Sequence, residues 1–220
     1  MQTFTPERRA TQDVRIGALA LPGVLRPVSN PVGIVVFAHG SGSSRQSPRN
    51  QFMAQVLRSY GLATLLMDLL TEQEAQVRQT VFDIPLLCHR VVEAVKWLQA
   101  HDSLSHLPIG LFGASTGAAA ALMAAGQQPG DIATVVSRGG RPDLARRYLA
   151  RVRAPTLLIV GGDDAEVLTL NRLALAALSC PKKLEVVPGA THLFEEPGTL
   201  DVAASLAGHW FERHLSQSEK

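Results

Sequence analysis

Short apolar runs alternate along the chain with longer stretches in which apolar residues recur every three or four positions. The short runs are rich in Val, Ile and Leu, which is typical of strands buried on both faces of a sheet. The longer stretches have the spacing of amphipathic helices. This alternation predicts βαβ units and a mostly parallel central sheet of about seven or eight strands, with helices on both faces.

The predicted elements follow each other closely and leave no long linker. The runs interpreted as strands are 14–21, 33–38, 62–67, 108–112, 132–137, 156–160 and 183–187. The first of these alternates weakly and ends at Pro22–Gly23, so we interpret it as an edge strand or the start of a hairpin. The stretches predicted as helices are 50–60, 84–101, 118–125, 142–152, 167–178 and 199–214.

The composition is that of one globular domain. The chain has 220 residues, of which 46% are hydrophobic and 18% charged, so we expect a single domain over 1–220, with the polar segment 1–12 flexible. Lys and Arg number 21 against 19 for Asp and Glu, and no basic stripe stands out. We therefore expect no nucleic-acid partner.

The apolar segments do not predict a membrane-spanning helix. The amino terminus lacks the apolar core of a secretory signal, and the uncharged segment 107–130 is interrupted by Pro108, by glycines and by Gln127–Gln128. We interpret that segment as a strand, a turn and an Ala-rich helix. We expect no membrane contact and a cytoplasmic location, in which Cys88 and Cys180 are reduced.

The candidate chemistry begins with the pattern G-x-S-x-G at Gly113–Gly117, which contains Ser115. The pattern alone is weak, but here a buried strand precedes it and a helix follows it, as a nucleophile elbow requires. The sharp turn strains the serine backbone, and the small residues on either side let neighbouring backbone approach. An ordinary glycine-rich turn with a serine helix cap is the competing interpretation.

A serine nucleophile needs a base and an orienting acid. Among the later histidines, His192 lies in a turn-rich loop after a strand, whereas His209 and His214 lie late in the last predicted helix. We therefore choose His192 as the base. The acid candidates between the serine and the histidine are Asp131, Asp143, Asp163, Asp164, Glu166 and Glu185.

The position of each acid relative to the strands reduces this set. Asp131 precedes a strand, Asp143 begins a helix and Glu185 lies inside a strand. Asp163 and Asp164 directly follow the strand 156–160, where a turn would hold one carboxylate beside the histidine. The pattern does not separate these two aspartates.

An oxyanion hole is also expected. One donor would be the backbone N–H of Thr116, the residue after the nucleophile. The second would come from the loop HGSGSS after strand 33–38, where we favour the N–H of Ser41 and place Gly42 second. A phosphate-binding loop is a weak alternative because the sequence GKS or GKT is absent.

Four motifs in this order, HGSGSS, GASTG, GGDD followed by Val167, and GATHLF, make the chain resemble the α/β-hydrolase superfamily and its dienelactone-hydrolase-like group. The resemblance covers nearly the whole chain from Val14. The family pattern G-x-x-D-x-x-V, laid on Gly161–Val167, selects Asp164 as the acid. Parts of the chain also resemble small bacterial hydrolases, some fused to phosphoribosyltransferase domains, and we expect no such domain within these residues.

The resemblance also carries expectations about activity. Dienelactone hydrolase itself uses a cysteine nucleophile, so Ser115 favours a serine hydrolase of small carboxylic esters. A lactone hydrolase or thioesterase on the same triad is the alternative, and a non-catalytic binding protein of the same fold is a third. Residues 138–155 leave room for about one helix where related proteins insert a cap, so we expect no cap domain and an open site.

The remaining expectations concern the surroundings of the site. Arg138 and Arg141 lie at the end of strand 132–137, where a guanidinium could hold a substrate carboxylate, although a surface ion pair is the commoner role. We expect no metal and no organic cofactor. The predicted partner is a small-molecule ester, and the chain is expected to be a monomer or a homodimer.

Overall fold

The computed structural model describes residues 11–216 and contains one eight-stranded sheet. The strands are β1 (Gln12–Ile16), β2 (Leu21–Arg26), β3 (Gly33–Ala38), β4 (Leu62–Met67), β5 (Ile109–Ala114), β6 (Thr134–Arg138), β7 (Thr156–Gly161) and β8 (Lys182–Val187). The helices are α1 (Pro48–Ser59), α2 (Glu72–Ala75), α3 (Arg78–Val81), α4 (Ile84–Gln99), α5 (Thr116–Gln127), α6 (Arg146–Leu149), α7 (Ala165–Ala177) and α8 (Thr199–Leu215).

The strand order is β1-β2-β4-β3-β5-β6-β7-β8. The hairpin β1–β2 is antiparallel, and β2 also pairs antiparallel with β4. The six strands β3 to β8 are all parallel to one another. Strands β3, β4, β5, β6 and β7 are buried along their whole length, whereas the edge strands β1 and β8 are largely exposed. The predicted fold class, a mostly parallel sheet between helices, is confirmed.

Helices cover both faces of the sheet and enclose two apolar cores. One core is formed with α4, α5 and α7, and the other with α1 and α8. In the second core Phe211 is fully buried, and the indole N–H of Trp210 donates to Thr134 Oγ1 at 2.9 Å. The last helix therefore packs on the sheet.

The amino-terminal hairpin differs from its prediction. The turn lies at 17–20, where Ala20 N–H donates to Gly17 O, and Pro22–Gly23 belong to β2. Gly23 fits inside the strand because a Cβ there would lie 2.9 Å from Ile16 Cδ1. Residues 1–10 lie outside the described residues, but Gln12, which we assigned to the flexible segment, already pairs with Leu25.

The connection after β6 is short. Residues 142–152 form a 3-10 turn over Pro142–Ala145 and the single turn α6, not one continuous helix. A Cβ on Gly126 of α5 would lie 2.8 Å from Tyr148 O, so this connection packs against α5 and builds no cap. Within residues 11–216, no helix has both the length and the apolar character needed to cross a bilayer.

Candidate active site

The three residues predicted as nucleophile, acid and base meet at the carboxyl edge of the parallel strands. Ser115 follows β5, Asp164 follows β7 and His192 follows β8. His192 Nδ1 lies 2.7 Å from Asp164 Oδ2, and His192 Nε2 lies 3.4 Å from Ser115 Oγ. With a carboxylate at Nδ1, the neutral ring carries its proton there and turns an unprotonated Nε2 toward the serine.

Ser115 sits in a strained turn between β5 and α5. Its φ is +50° and its ψ is −121°, a conformation that a non-glycine residue rarely adopts. A Cβ on Gly113 would lie 2.3 Å from Ala118 Cα, and one on Gly117 would lie 2.1 Å from Ala38 O. Both outer positions of the motif therefore need glycine, because backbone passes within contact distance of each.

The backbone at the end of β6 and just after it also holds Ser115. Ser115 N–H donates to Arg138 O at 3.3 Å, and Arg141 N–H donates to Ser115 O at 3.1 Å. Sequence reasoning missed this support, because backbone hydrogen bonds between strands far apart in the chain leave no residue signature.

The two candidate aspartates differ in where they face. Asp163 is exposed, and its N–H donates to Ala190 O at 3.0 Å. Asp164 is half-buried, and its carboxylate bonds His192. The structure therefore places Asp164, the aspartate selected by the family resemblance, beside the histidine.

The loop that carries His192 leaves the sheet against β7 and is then held by its own side chains. A Cβ on Gly161 would lie 2.2 Å from Ala190 O, which fixes the base of the loop. Further along, Thr191 Oγ1 donates to Glu196 Oε1 at 2.6 Å. Phe194 is buried and takes φ +57°, so the turn after the histidine is also strained.

The predicted oxyanion donors adjoin each other, and one of them already has an acceptor. Thr116 is the first residue of α5, where N–H groups have no acceptor within the helix. Ser41 N–H donates to Thr116 Oγ1 at 2.9 Å. The Thr116 hydroxyl must therefore turn aside before this N–H can bond a substrate oxygen. Gly42, the second choice, has φ +69° in the same loop.

His39 positions the loop that contains Ser41, a role that sequence reasoning did not assign to it. Its Nε2 accepts the Leu69 N–H at 3.0 Å, so the proton is on Nδ1, which bonds Gly40 O at 2.9 Å. Burial lowers the pKa of His39 and keeps the ring neutral. The His39–Gly40 pair at the start of HGSGSS is the sequence signal that could have indicated this role.

The two arginines at the end of β6 have different environments, and neither presents a free guanidinium to an open site. Arg141 bonds both carboxylate oxygens of Asp143, at 2.9 and 2.8 Å, which is the ion pair weighed as the commoner role. Arg138 is 6% exposed and lies 5.3 Å from the centre of the Phe194 ring, with one N–H 3.5 Å from Leu193 O. Burial, together with the charge of Arg49, lowers the pKa of Arg138 to about 10.

The cysteines lie away from this site. Both Cys88 and Cys180 are buried free thiols, and burial raises the pKa of Cys88 to about 12. A thiol held so far from ionisation is a poor nucleophile at neutral pH. In the part of the chain that the structure describes, no three His, Cys, Asp or Glu side chains are grouped as ligands of a metal ion.

The family is shown by comparison with known proteins. The model of the family described as "Alpha/beta hydrolase domain" matches residues 31–206. The chain therefore belongs to the α/β-hydrolase family, and it is a dienelactone-hydrolase-like member of that family.

Individual relatives agree with this assignment. A crystal structure of dienelactone hydrolase from Anabaena variabilis is 50% identical, covers 95% of this chain and 98% of that one, and superposes with a TM-score of 0.90. The esterase domain of a Rhodothermus marinus protein superposes with a TM-score of 0.73 over 94% of this chain and 98% of that one. At 19% identity, the second structure shows the fold alone.

A longer relative occurs in Mycobacterium tuberculosis strain H37Rv. It bears the name "Putative phosphoribosyl transferase" and is 54% identical over 210 residues. The match includes 96% of this chain but 47% of the relative. The chain thus spans about half the length of the curated relatives that it matches.

Proposed function

We propose that this hydrolase is a serine hydrolase that cleaves small carboxylic esters through an acyl-enzyme intermediate. The observation that carries the proposal is the chain of contacts from Asp164 Oδ2 through the His192 ring to Ser115 Oγ, at 2.7 and 3.4 Å. A serine in a strained strand-to-helix turn, with an oriented imidazole within reach, is the arrangement that nucleophilic acyl transfer needs.

The proposed reaction has two stages. His192 Nε2 takes the proton of Ser115 Oγ as that oxygen attacks the ester carbonyl carbon, and Asp164 stabilises the imidazolium that forms. The N–H groups of Thr116 and Ser41 receive the negative oxygen. The imidazolium then protonates the departing alcohol, and water, deprotonated by His192, releases the acid and restores the serine.

Lactone hydrolysis is the second candidate, favoured by the Anabaena relative that bears the name dienelactone hydrolase. A lactone is an internal ester, so the same three groups would open it by the same steps; a thioester would also follow them. A non-catalytic binding role is less favoured, because it gives no reason for the Asp164–His192–Ser115 arrangement.

We assign no phosphoribosyl transfer to this chain. The Mycobacterium relative bears that name, but about half of its length lies outside the match. We propose that the transferase part of the name refers to that half, and that the matched half is the hydrolase.

We also propose a cytoplasmic location and a monomeric or homodimeric state. The two cysteines are free thiols, which suits a reducing compartment. Gel filtration with light scattering measures the oligomeric state directly.

The first test compares wild type with Ser115→Ala on p-nitrophenyl acetate and butyrate. Loss of the nucleophile should lower kcat by up to about 10⁶-fold. A fluorophosphonate probe should form an adduct on Ser115 that mass spectrometry locates. Ser105→Ala changes an exposed serine elsewhere and is the matched control. Turnover that survives in Ser115→Ala, or a folded wild type without turnover or adduct, would overturn the proposal.

A further inference from the structure

A cavity of about 320 Å³ opens beside the loop that carries the predicted oxyanion donor. One wall is the loop 39–44 after β3, and the other comes from 68–75, after β4, with Val81 and Leu87. Gly40, which lines the cavity, also packs against the predicted nucleophile, because a Cβ on Gly40 would lie 3.0 Å from Ser115 Cβ.

The part of the cavity away from the loop is apolar. Leu70 and Leu87 are buried and contribute to its lining, together with Ala75 and Val81. The loop 39–44, which includes three serines, forms the opposite wall. Such a cavity favours a compact apolar group whose reacting end points toward the polar wall.

The strand order decides which part of an ester enters the cavity. The cavity lies on the β4 side of β5, whereas Asp164 and His192 follow β7 and β8 on the other side. The departing alcohol must lie at His192 Nε2, since that nitrogen gives it a proton. The acyl group, on the other side of the carbonyl carbon, is then directed toward the cavity.

The charges around the cavity disfavour an anionic acyl group. The side chain of Asp68 lines it and bonds Arg45 through both carboxylate oxygens, so that arginine is already engaged. Glu72 also lines the cavity and is exposed. The guanidinium of Arg141 is engaged by Asp143. A substrate carboxylate in the cavity would meet the acidic residues Asp68 and Glu72, while Arg45 and Arg141 are already engaged by Asp68 and Asp143.

We propose that this cavity is the acyl pocket of the enzyme and that it selects neutral, compact, apolar acyl groups over acyl groups that carry a second carboxylate. This inference rests on the proposed ester hydrolysis. The size is appropriate, since a cavity of about 150 Å³ holds benzene. Butyryl, hexanoyl and benzoyl groups therefore fit, and an acetyl group is too short to reach the apolar part.

The test measures kcat/KM for p-nitrophenyl acetate, butyrate, hexanoate and benzoate in variants that change the pocket. Ala75→Trp fills the pocket from an exposed helix position, and should lower kcat/KM for butyrate, hexanoate and benzoate about tenfold or more while acetate stays within about twofold. Gln73→Trp places the same side chain on an exposed position of α2 that does not line the cavity, and should change none of them. Leu70→Ala should enlarge the pocket and raise the hexanoate-to-butyrate ratio.

The charge preference is tested with hexanoate against the adipate half-ester, which has the same length and a terminal carboxylate. Wild type should prefer hexanoate about tenfold or more, and Glu72→Gln should narrow that ratio about twofold to fivefold. Glu212→Gln, an exposed carboxylate on α8, is the control.

The outcomes separate this inference from the proposed function. Turnover whose dependence on acyl length and charge is the same in wild type, Ala75→Trp and Glu72→Gln overturns the pocket and leaves the ester hydrolase standing. Equal loss on acetate and hexanoate in Ala75→Trp also overturns it. A wild type that hydrolyses none of the esters overturns both.

Discussion

The nucleophile side and the histidine side of the candidate site are held in place by different means. Around Ser115 the backbone itself is packed, with an added Cβ on Gly117 only 2.1 Å from Ala38 O. Beyond Ala190, the histidine loop is held by side chains: Thr191 on Glu196, Arg49 on Glu195, and Arg138 on Phe194. Packed backbone leaves a glycine signature in the sequence, whereas side-chain support from distant elements leaves none.

After loss of Ser115 itself, the largest expected effect falls on the predicted acid. Asp164→Asn keeps the shape of the side chain but removes the charge that holds the Nδ1 proton, so kcat should fall about 10⁴-fold. The adjacent Asp163→Asn removes an exposed carboxylate and should stay within about threefold of wild type. Steady-state kinetics on p-nitrophenyl acetate measures both. Equal losses in the two variants would remove the distinction that the structure makes between these aspartates.

On the nucleophile side, adding a single methyl group at Gly117 should destabilise the protein. Alanine at Gly117 would gain about 1 kcal/mol of helix propensity, but the clash with Ala38 O should reverse the sign and lower the free energy of unfolding by about 3 kcal/mol or more. Gly162→Ala, whose Cβ would lie 3.3 Å from Val187 O, should cost about 1 kcal/mol or less. Urea unfolding compares them, and a stable Gly117→Ala would show that backbone packing is not what holds the turn.

On the histidine side, replacing Arg138, which supports the turn after His192, should affect kcat more than the free energy of unfolding. Arg138→Met keeps the volume and removes a buried charge with no carboxylate partner in the described structure, so the free energy of unfolding should hold or rise. The turn after His192 then loses its contacts with the Arg138 guanidinium, so kcat should fall about tenfold with KM little changed.

Arg138→Lys should recover part of that rate. Arg141→Met, which breaks a partly exposed ion pair, should leave kcat within about twofold of wild type. Kinetics paired with thermal unfolding separates the two roles of Arg138. A parallel loss of stability and rate would make Arg138 a structural residue only.

The smallest effect is the pH dependence that His39 introduces. Its pKa is lowered below 6.5 in the folded state, so below that pH the unfolded chain binds a proton that the folded chain does not. The free energy of unfolding should therefore fall as the pH drops below 6.5, by at most about 1.4 kcal/mol per pH unit, until the folded state also binds the proton. Urea unfolding between about pH 7.5 and 5.5 should show a shallower slope in His39→Asn. Equal slopes would contradict the assignment.

The sequence predicted the parts of the fold that depend on local pattern. The apolar runs of β3 to β7 and the long helices α4 and α8 lie where their periodicity placed them, within a few residues. It failed at Pro22–Gly23, where a pair typical of turns lies inside β2 because Val14 and Ile16 fill the space that Gly23 leaves. The small helices α2 and α3, which contribute no buried residue, were also missed, because they lack an apolar face.

By itself, the sequence determined the strand-turn-helix around Ser115, the choice of His192, and an acid narrowed to Asp163 or Asp164. These follow from local pattern and from the rule that parallel strands end at one edge. The family resemblance then selected Asp164. Only the tertiary structure placed Arg138 beside Phe194, Ser41 N–H on Thr116, and the apolar cavity beside Gly40. Each of these joins segments far apart in the chain, and such contacts are decided by packing, which a pattern read along the chain does not record.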